Sequence, residues 1–305
     1  MLAPTTYTID AVDKLVITVT VDSTVTYPGN PHMPPIEDVD TVVRQYVDAV
    51  NAGASICHHH GIHYLESEIQ PDGRKLSQID FAGWQAVSDG IRAGSGDPII
   101  QYGIASARLP EKVELMKQGP DMMSWSFNPH DEFFQPDPAY PPAELYALHP
   151  RDELENAASA ALEHGVKLEI ECFVTGAYWN LEYIRSKGLL ENPVWATTFF
   201  NWQGGQWTPP TIDAVLYMAR HLPSDVNWSA SVMDPARAWR LIPTIIGAGG
   251  HVRVGWEDNP YLPDGELARH NAQLVETVVE IATRMGRDIA SPHEAREIVG
   301  LPASS

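Results

Sequence analysis

Two cysteines in 305 residues, Cys57 and Cys172, leave no disulfide framework to read. Both fall inside apolar segments read below as strands, which suits reduced core thiols and a cytoplasmic protein. Positive charge is also scarce: 20 Lys and Arg stand against 40 Asp and Glu, a net charge of -20. No basic stripe reverses that balance, which argues against nucleic acid or an anionic membrane surface as a partner. MLAPTTYTIDAVDK has no basic segment followed by an apolar run, and no apolar run is long enough to span a bilayer, so neither a secretory signal nor a membrane anchor is expected. Linkers, low-complexity tracts and obvious internal repeats are missing too. So is a GxGxxG after any strand, which removes the fingerprint of a dinucleotide-binding doubly wound sheet.

What is present is an alternation. Strand-like segments LVITVTVD (15–22), ICHHHG (56–61), PIIQYGI, MMSWSF (122–127), KLEIECF, VWATTFFN, VNWSASVM and HVRVGWED are each followed by a helical pattern. The clearest helices cover 36–54, 81–92, 151–164, 177–188 and 211–221, with the longest predicted over GELARHNAQLVETVVEIATRMGR. The polar stretch from the histidines to Asp80 and the segment PHDEFFQPDPAYPP read as loops. Eight strand–helix units over 305 residues predict an α/β fold, a (β/α)8 TIM barrel spanning residues 1–305 as one domain with a C-terminal helical extension.

Two segments carry the chemistry. In HVRVGWED, Val252, Val254 and Trp256 alternate with His251, Arg253, Gly255 and Glu257, the period of a strand with one apolar and one polar face. In ICHHHG, His58 and His60 leave an extended chain on the same side, with His59 opposite. A barrel places strand eight one neighbour away from strand two, and its active site at the C-terminal strand ends. There His58, His60 and Glu257 could meet around one divalent ion, Zn2+ or another divalent transition metal. The same parity turns Gln101, Ser124, Ser126, Glu169, Glu171, Thr197, Ser229, Ser231 and Arg253 inward. Of these, Ser124, Ser126 and Glu171, together with Trp202 and Asn259, are taken as substrate-binding residues. Each assignment has a plainer rival: histidines as hydrogen-bonded core or a surface cluster, Arg253 as a counter-ion to Glu169 and Glu171, Asp258 as a cap rather than a base, Trp202 and Trp207 of NWQGGQW as a folded aromatic loop rather than a cover over the barrel mouth.

The blocks GAGGHVRVGWEDN, ELARHNAQLVETVVEIATRMGRDIASPHEAREIVGL and AGASICHHH resemble the β-keto acid cleavage enzymes, the family of 3-keto-5-aminohexanoate cleavage enzyme. The resemblance runs from about residue 15 to 302. It implies a zinc-dependent (β/α)8 barrel that converts a β-keto acid and acetyl-CoA into acetoacetate and a new CoA ester. Carried over, it implies that His58, His60 and Glu257 bind the metal, that Asp258 is the catalytic base, and that Arg253 meets the substrate carboxylate. Three positions depart from the family pattern: Ile62 stands at an Arg position, Val25 at a Glu and Gly103 at a Ser, with Arg74 and Arg108 as other sources of positive charge. These departures, with Trp202 and Trp207, predict a substrate bulkier and more apolar than a short β-keto acid, and they count against acetyl-CoA as co-substrate. The overall expectation is a cytoplasmic homo-oligomeric enzyme acting on a small molecule by carbon–carbon cleavage. A metal-water hydrolase of an ester, lactone or amide, and a metal-binding barrel without catalysis, are the alternatives.

Overall fold

The computed structural model describes residues 13–22, 26–70, 75–135, 139–223 and 225–303. Val25 and Arg74 lie outside them. In chain order the strands are β1 (Ile17–Thr20), β2 (Ile56–His59), β3 (Ile62–Ile69), β4 (Lys75–Asp80), β5 (Ile99–Tyr102), β6 (Met122–Ser126), β7 (His130–Phe134), β8 (Ala143–Ala147), β9 (Lys167–Cys172), β10 (Val194–Phe200), β11 (Val226–Val232) and β12 (His251–Gly255). The helices are α1 (Val39–Ala52), α2 (Phe81–Gly94), α3 (Leu109–Met116), α4 (Arg151–His164), α5 (Gly176–Ser186), α6 (Ile212–His221), α7 (Ala238–Gly247), α8 (Ala272–Arg284) and α9 (Pro292–Val299).

Eight parallel strands close into a barrel in the order β1-β12-β11-β10-β9-β6-β5-β2. They are the eight predicted from alternation. Their outward residues, such as Val19, Cys57, Met123, Ile170, Val252 and Val254, join the helices' buried faces in one continuous core. Their inward residues are the polar set expected from parity: Gln101, Ser124, Ser126, Glu169, Thr197, Ser229, Ser231 and Arg253 are all buried. A barrel serving structure alone would fill such positions with aliphatic side chains.

The floor of the barrel is made by the end of the chain. Ser291 and Glu294 form a capping box that starts α9. Ala295 and Val299 of that helix pack with Val16, Ile56, Ile99, Met122 and Trp195. No helix among the described residues is long and apolar enough to cross a membrane.

Three local expectations need correction. The stretch from the histidines to Asp80 is the antiparallel hairpin β3–β4, and PHDEFFQPDPAYPP contributes to a second, β7–β8. The long C-terminal helix begins only at Ala272. Before it, Tyr261 and Leu267 form an antiparallel bridge. Asn271 ties this segment to the barrel, its side chain accepting from the Trp256 N–H and donating to the Thr20 carbonyl.

Candidate active site

The site is built where two barrel strands flank a third. Thr20 of β1 pairs with Gly255 of β12 on one side and with His58 of β2 on the other. His58 and His60 share a side of the chain, their ring centroids 4.9 Å apart. His59 points the other way, packed on Trp84 and Tyr102 and bonded to the Ser88 hydroxyl. His58 Nδ1 lies 2.8 Å from Gln101 Oε1, and His60 Nδ1 lies 2.5 Å from the Gly103 carbonyl oxygen. Both partners are acceptors, so each ring carries its proton on Nδ1 and keeps the Nε2 lone pair for the cavity.

The third donor arrives by a turn. Strand parity alone carries β12 only to Gly255, and the chain then bends back, the N–H groups of Asp258 and Asn259 donating to the Gly255 carbonyl. Gly255 has φ 149°, and a Cβ there would lie 1.9 Å from the Thr20 oxygen, so the bend depends on glycine. Gly255→Ala is expected to lose stability by at least the ~1–3 kcal/mol typical of a strained backbone position. A urea midpoint equal to that of the parent would disprove this role.

Donor atoms of His58, His60 and Glu257 all lie within 4.8 Å of one another. Glu257 Oε2 stands 3.2 Å from His60 Nε2, close enough for an ion pair but too poorly aligned for a hydrogen bond, so that buried oxygen has none. Two inward imidazole lone pairs and an orphaned carboxylate oxygen suit a divalent transition ion. Burial disfavours a charged His60, but the Glu257 carboxylate outweighs it and pushes the imidazole up to about 9. A cation binding there would compete with a proton for the Nε2 lone pair of His60.

Arg253 ties this turn together. It is buried, with Nη2 2.8 Å from Glu257 Oε1, Nε 3.0 Å from Asp258 Oδ2 and Nη2 3.1 Å from Asp258 Oδ1. Burial works against the Glu257 charge, yet Arg253 and His60 hold its carboxyl well below the usual carboxylate range. Burial lifts the Asp258 carboxyl to about 6 despite Arg253. Arg253 and Glu257 line the cavity, whereas Asp258 and Asn259 lie behind them against Trp239 and Val254. Asn259 spends its side chain on Tyr261, accepting from its N–H and donating to its carbonyl.

The cavity also takes in Ser124, Ser126, Glu171 and Trp202. Ser124 hydrogen-bonds Glu171, and Ser126 donates to the Asn128 carbonyl. Trp202 shares an apolar cluster with Phe134, Phe173 and Phe199, but Trp207 is 49% exposed and bonded to Asn201, outside the cavity wall. Ile62 also turns away, its side chain filling the space over Gly83, and its neighbour His63 faces the cavity instead. Gly103 makes room for the His58 ring: a Cβ there would lie 2.3 Å from His58 Cε1. Arg108 is exposed and bonded to Gln70.

Several wall residues escaped the sequence reading. Ser106 follows β5 and is bonded to Ser77, Lys112 sits on α3 with its ammonium 3.9 Å above the Trp125 ring, and His130, Glu132 and Phe134 come from β7. The last three carry no such signal: HDEFF runs three polar residues into two aromatics, and its alternation shows only as burial in the folded strand.

Comparisons with known proteins agree with this architecture. The chain is 29% identical over 297 residues to the 3-keto-5-aminohexanoate cleavage enzyme of Fusobacterium nucleatum, covering 95% of this chain and 98% of that one. A shorter region of 133 residues is 38% identical to the 3-dehydrocarnitine:acetyl-CoA trimethylamine transferase of Rhizobium meliloti, covering 43% of each chain. Among solved structures, the binary complex of ObcA with oxaloacetate has the same fold, with a TM-score of 0.66 at 17% identity, covering 89% of this chain and 68% of that one. With the β-keto acid cleavage enzyme model matching residues 14–301, the chain belongs to the β-keto acid cleavage enzyme family.

Proposed function

We propose that this protein is a zinc-dependent enzyme that breaks a carbon–carbon bond of a β-keto acid, with His58, His60 and Glu257 as the metal ligands. The observation that carries the reading is the convergence of those three donors on the cavity that also holds Arg253. When bound, a divalent ion there supplies Lewis acidity to a carbonyl and charge to the enolate left by cleavage. Gln101 and the Gly103 carbonyl orient the two imidazoles. Arg253 offers its guanidinium to the substrate carboxylate, and Asp258, gripped by Arg253 from behind the cavity wall, is the base that takes the proton lost by the carbon acid. Ser124, Ser126 and Glu171 bind the substrate from the β6 and β9 strand ends, beneath Trp202.

Acetyl-CoA remains in this reading as co-substrate, its acetyl group joining the two-carbon carboxylate fragment as acetoacetate and its CoA taking the remaining acyl group. Of the departures from the family pattern, Ile62 faces away from the cavity, Gly103 accommodates His58, and Val25 is outside the described residues, while Trp207 stands outside the cavity wall. Names of three relatives, those acting on 3-dehydrocarnitine, 3,5-dioxohexanoate and 3-oxoadipate, include acetyl-CoA. The aromatic wall still favours a substrate with a bulky distal group.

A panel of β-keto acids, incubated with the purified protein and acetyl-CoA, tests the reaction by mass spectrometry of acetoacetate and new CoA esters. Products that keep the substrate's carbon skeleton would point to hydrolysis, and an inert, metal-bearing protein to binding alone. In the same assay Asp258→Asn should keep its metal and lose most turnover. Near-normal turnover in that variant would reduce Asp258 to a clamp on Arg253.

A further inference from the structure

Below the candidate site the barrel interior is polar, and the strand register shows how its side chains are stacked. Barrel strands tilt, so the residue level with a given one, two strands away, lies two positions beyond the direct pairing. From Thr18 the pairing runs through Ile56 to Ile99, and so leads to Gln101. From Gln101 it runs through Met122 to Lys167, and so to Glu169; from Glu169 it runs through Trp195 to Asn227, and so to Ser229. Ser229 pairs with His251, and two positions on Arg253 pairs with Thr18, which closes the ring. Thr18, Gln101, Glu169 and Ser229, one from every second strand, are therefore a single layer across the barrel.

Each of the four ends in a polar atom that finds no partner. Thr18 Oγ1, Gln101 Nε2, Glu169 Oε2 and Ser229 Oγ are buried without a hydrogen bond, and so is the indole N–H of Trp195. The other polar atoms of the two long side chains are engaged. Gln101 Oε1 lies 2.8 Å from His58 Nδ1, and Glu169 Oε1 accepts from the Thr197 hydroxyl. Underneath, Ile56, Ile99, Met122 and Trp195 belong to the apolar floor, so solvent does not reach the layer from that side. A buried polar group without a partner is costly, and four in one layer call for a shared one.

The chemistry of the layer selects that partner. Gln101 Nε2 and Trp195 Nε1 only donate, while the hydroxyls of Thr18 and Ser229 both donate and accept. Burial pushes the Glu169 carboxyl up to about 7 against the pull of Arg253, so its acceptor and donor forms both occur near neutral pH. A cation would meet two N–H groups, and an anion would meet a carboxylate. Water accepts twice and donates twice, which satisfies every member. Thr18 and Ser229 are small where bulky branched side chains usually fill such a layer, which leaves it room.

We propose that buried water fills this layer and joins Glu169 to Gln101, making Glu169 a positioning residue for His58. The string runs from Glu169 through water to the Gln101 N–H group, and from the Gln101 oxygen to His58 Nδ1. Both ends of that amide belong to one planar group, so holding its N–H fixes the oxygen that orients the ring. Glu169 does this from two strands away and is not among the residues lining the cavity. The inference rests on the metal-site reading, because the orientation of His58 matters through its role as a ligand.

A crystal structure of the parent protein that resolves internal water tests the string directly. Density is expected within hydrogen-bond distance of both Glu169 Oε2 and Gln101 Nε2; a dry layer, or a direct bond between the two side chains, would overturn the proposal. The positioning role is read without turnover by titrating metal-free protein with Co2+, whose dissociation constant reports affinity and whose visible absorption reports ligand geometry. Gln101→Met should weaken Co2+ about tenfold to a hundredfold, as loss of a ligand's outer partner does. Glu169→Met should weaken it about tenfold and shift the absorption in the same direction, whereas Glu169→Gln, which still hydrogen-bonds water, should stay within about twofold of the parent. The two methionine substitutions together should bind within about twofold of Gln101→Met alone, since both cut one string. Additive losses, or parental affinity and absorption in Glu169→Met, would overturn the positioning role. Circular dichroism checks each fold, and Glu169→Val, the kind of side chain usual in such a layer, replaces the methionine variant if that one does not fold. Parent protein that binds no Co2+ would sink the metal-site reading and this inference together. Tight binding by the parent that ignores Glu169 would sink this inference alone.

Discussion

The parent is expected to purify with roughly one divalent ion per chain, as suits three mixed nitrogen and oxygen ligands, and His60→Ala to retain little of it. The loss is large because each donor is already oriented by a dedicated partner, so the surviving pair cannot swing to compensate. His58 is fixed by Gln101 and Glu257 by Arg253. Turnover should fall with metal content, and added zinc should restore neither fully. The fold should survive, since His60 lies just past the end of β2 and its side chain is directed at the cavity rather than the packed core. Elemental analysis showing full occupancy in this variant would refute the ligand assignment.

The second large effect is on stability. Arg253→Met is expected to cost about 3–5 kcal/mol, the range for breaking a buried ion pair from one side. Methionine can occupy most of the arginine's volume, so the loss is electrostatic: Glu257 and Asp258 lose their shared guanidinium, and Glu169 loses the positive charge that opposes its burial. Arg253→Lys should recover only part of it, because an ammonium cannot reproduce the two-carboxylate grip. The pH dependence has a definite sign. In the parent, Asp258 titrates near 6 in the folded protein against 3.8 as its ordinary value, so folding takes up a proton between those values and stability falls as pH rises through them. Removing Arg253 raises the folded value further, so the variant's deficit should widen above pH ~6 and shrink toward pH ~4. Urea titrations across that range check it. A deficit independent of pH would mean that packing dominates.

Much of this site is legible in the sequence. The eight barrel strands show as apolar outward residues against a polar inward set, and His58 and His60 follow from a spacing of two. Glu257 was reached by the right residue but the wrong geometry, since the alternation stops at Gly255 and a turn does the rest. Ile62 misled for a related reason: β3 begins there and runs into an outer hairpin, so its side chain leaves the barrel interior. The β7–β8 ribbon is hidden by the prolines in PDPAYPP and by HDEFF, whose polar and apolar residues fall in blocks rather than in alternation. Nothing in one sequence says that a polar hairpin folds back over a barrel mouth. That depends on hydrogen bonds to residues some seventy positions away, such as Gly204 and Gln206.

The separate anchoring of that ribbon has a consequence for how the protein can change. Of the three donors, His58 sits on β2 while His60 and Glu257 lie just past the ends of β2 and β12, whereas Glu132 and His130 hang from a two-stranded ribbon outside the barrel's hydrogen-bonded ring. Substitutions along the ribbon's inward face can redraw which molecules are admitted without moving a metal donor. The three donors and this side of the cavity wall are thus inherited on different stretches of backbone, and exchanges at His130, Glu132 and Phe134 reshape the wall without touching the turn that carries Glu257. The glycine seam at Gly204 and Gly205 is the piece that such exchanges must preserve, because it is where any new ribbon has to be stitched back to the barrel.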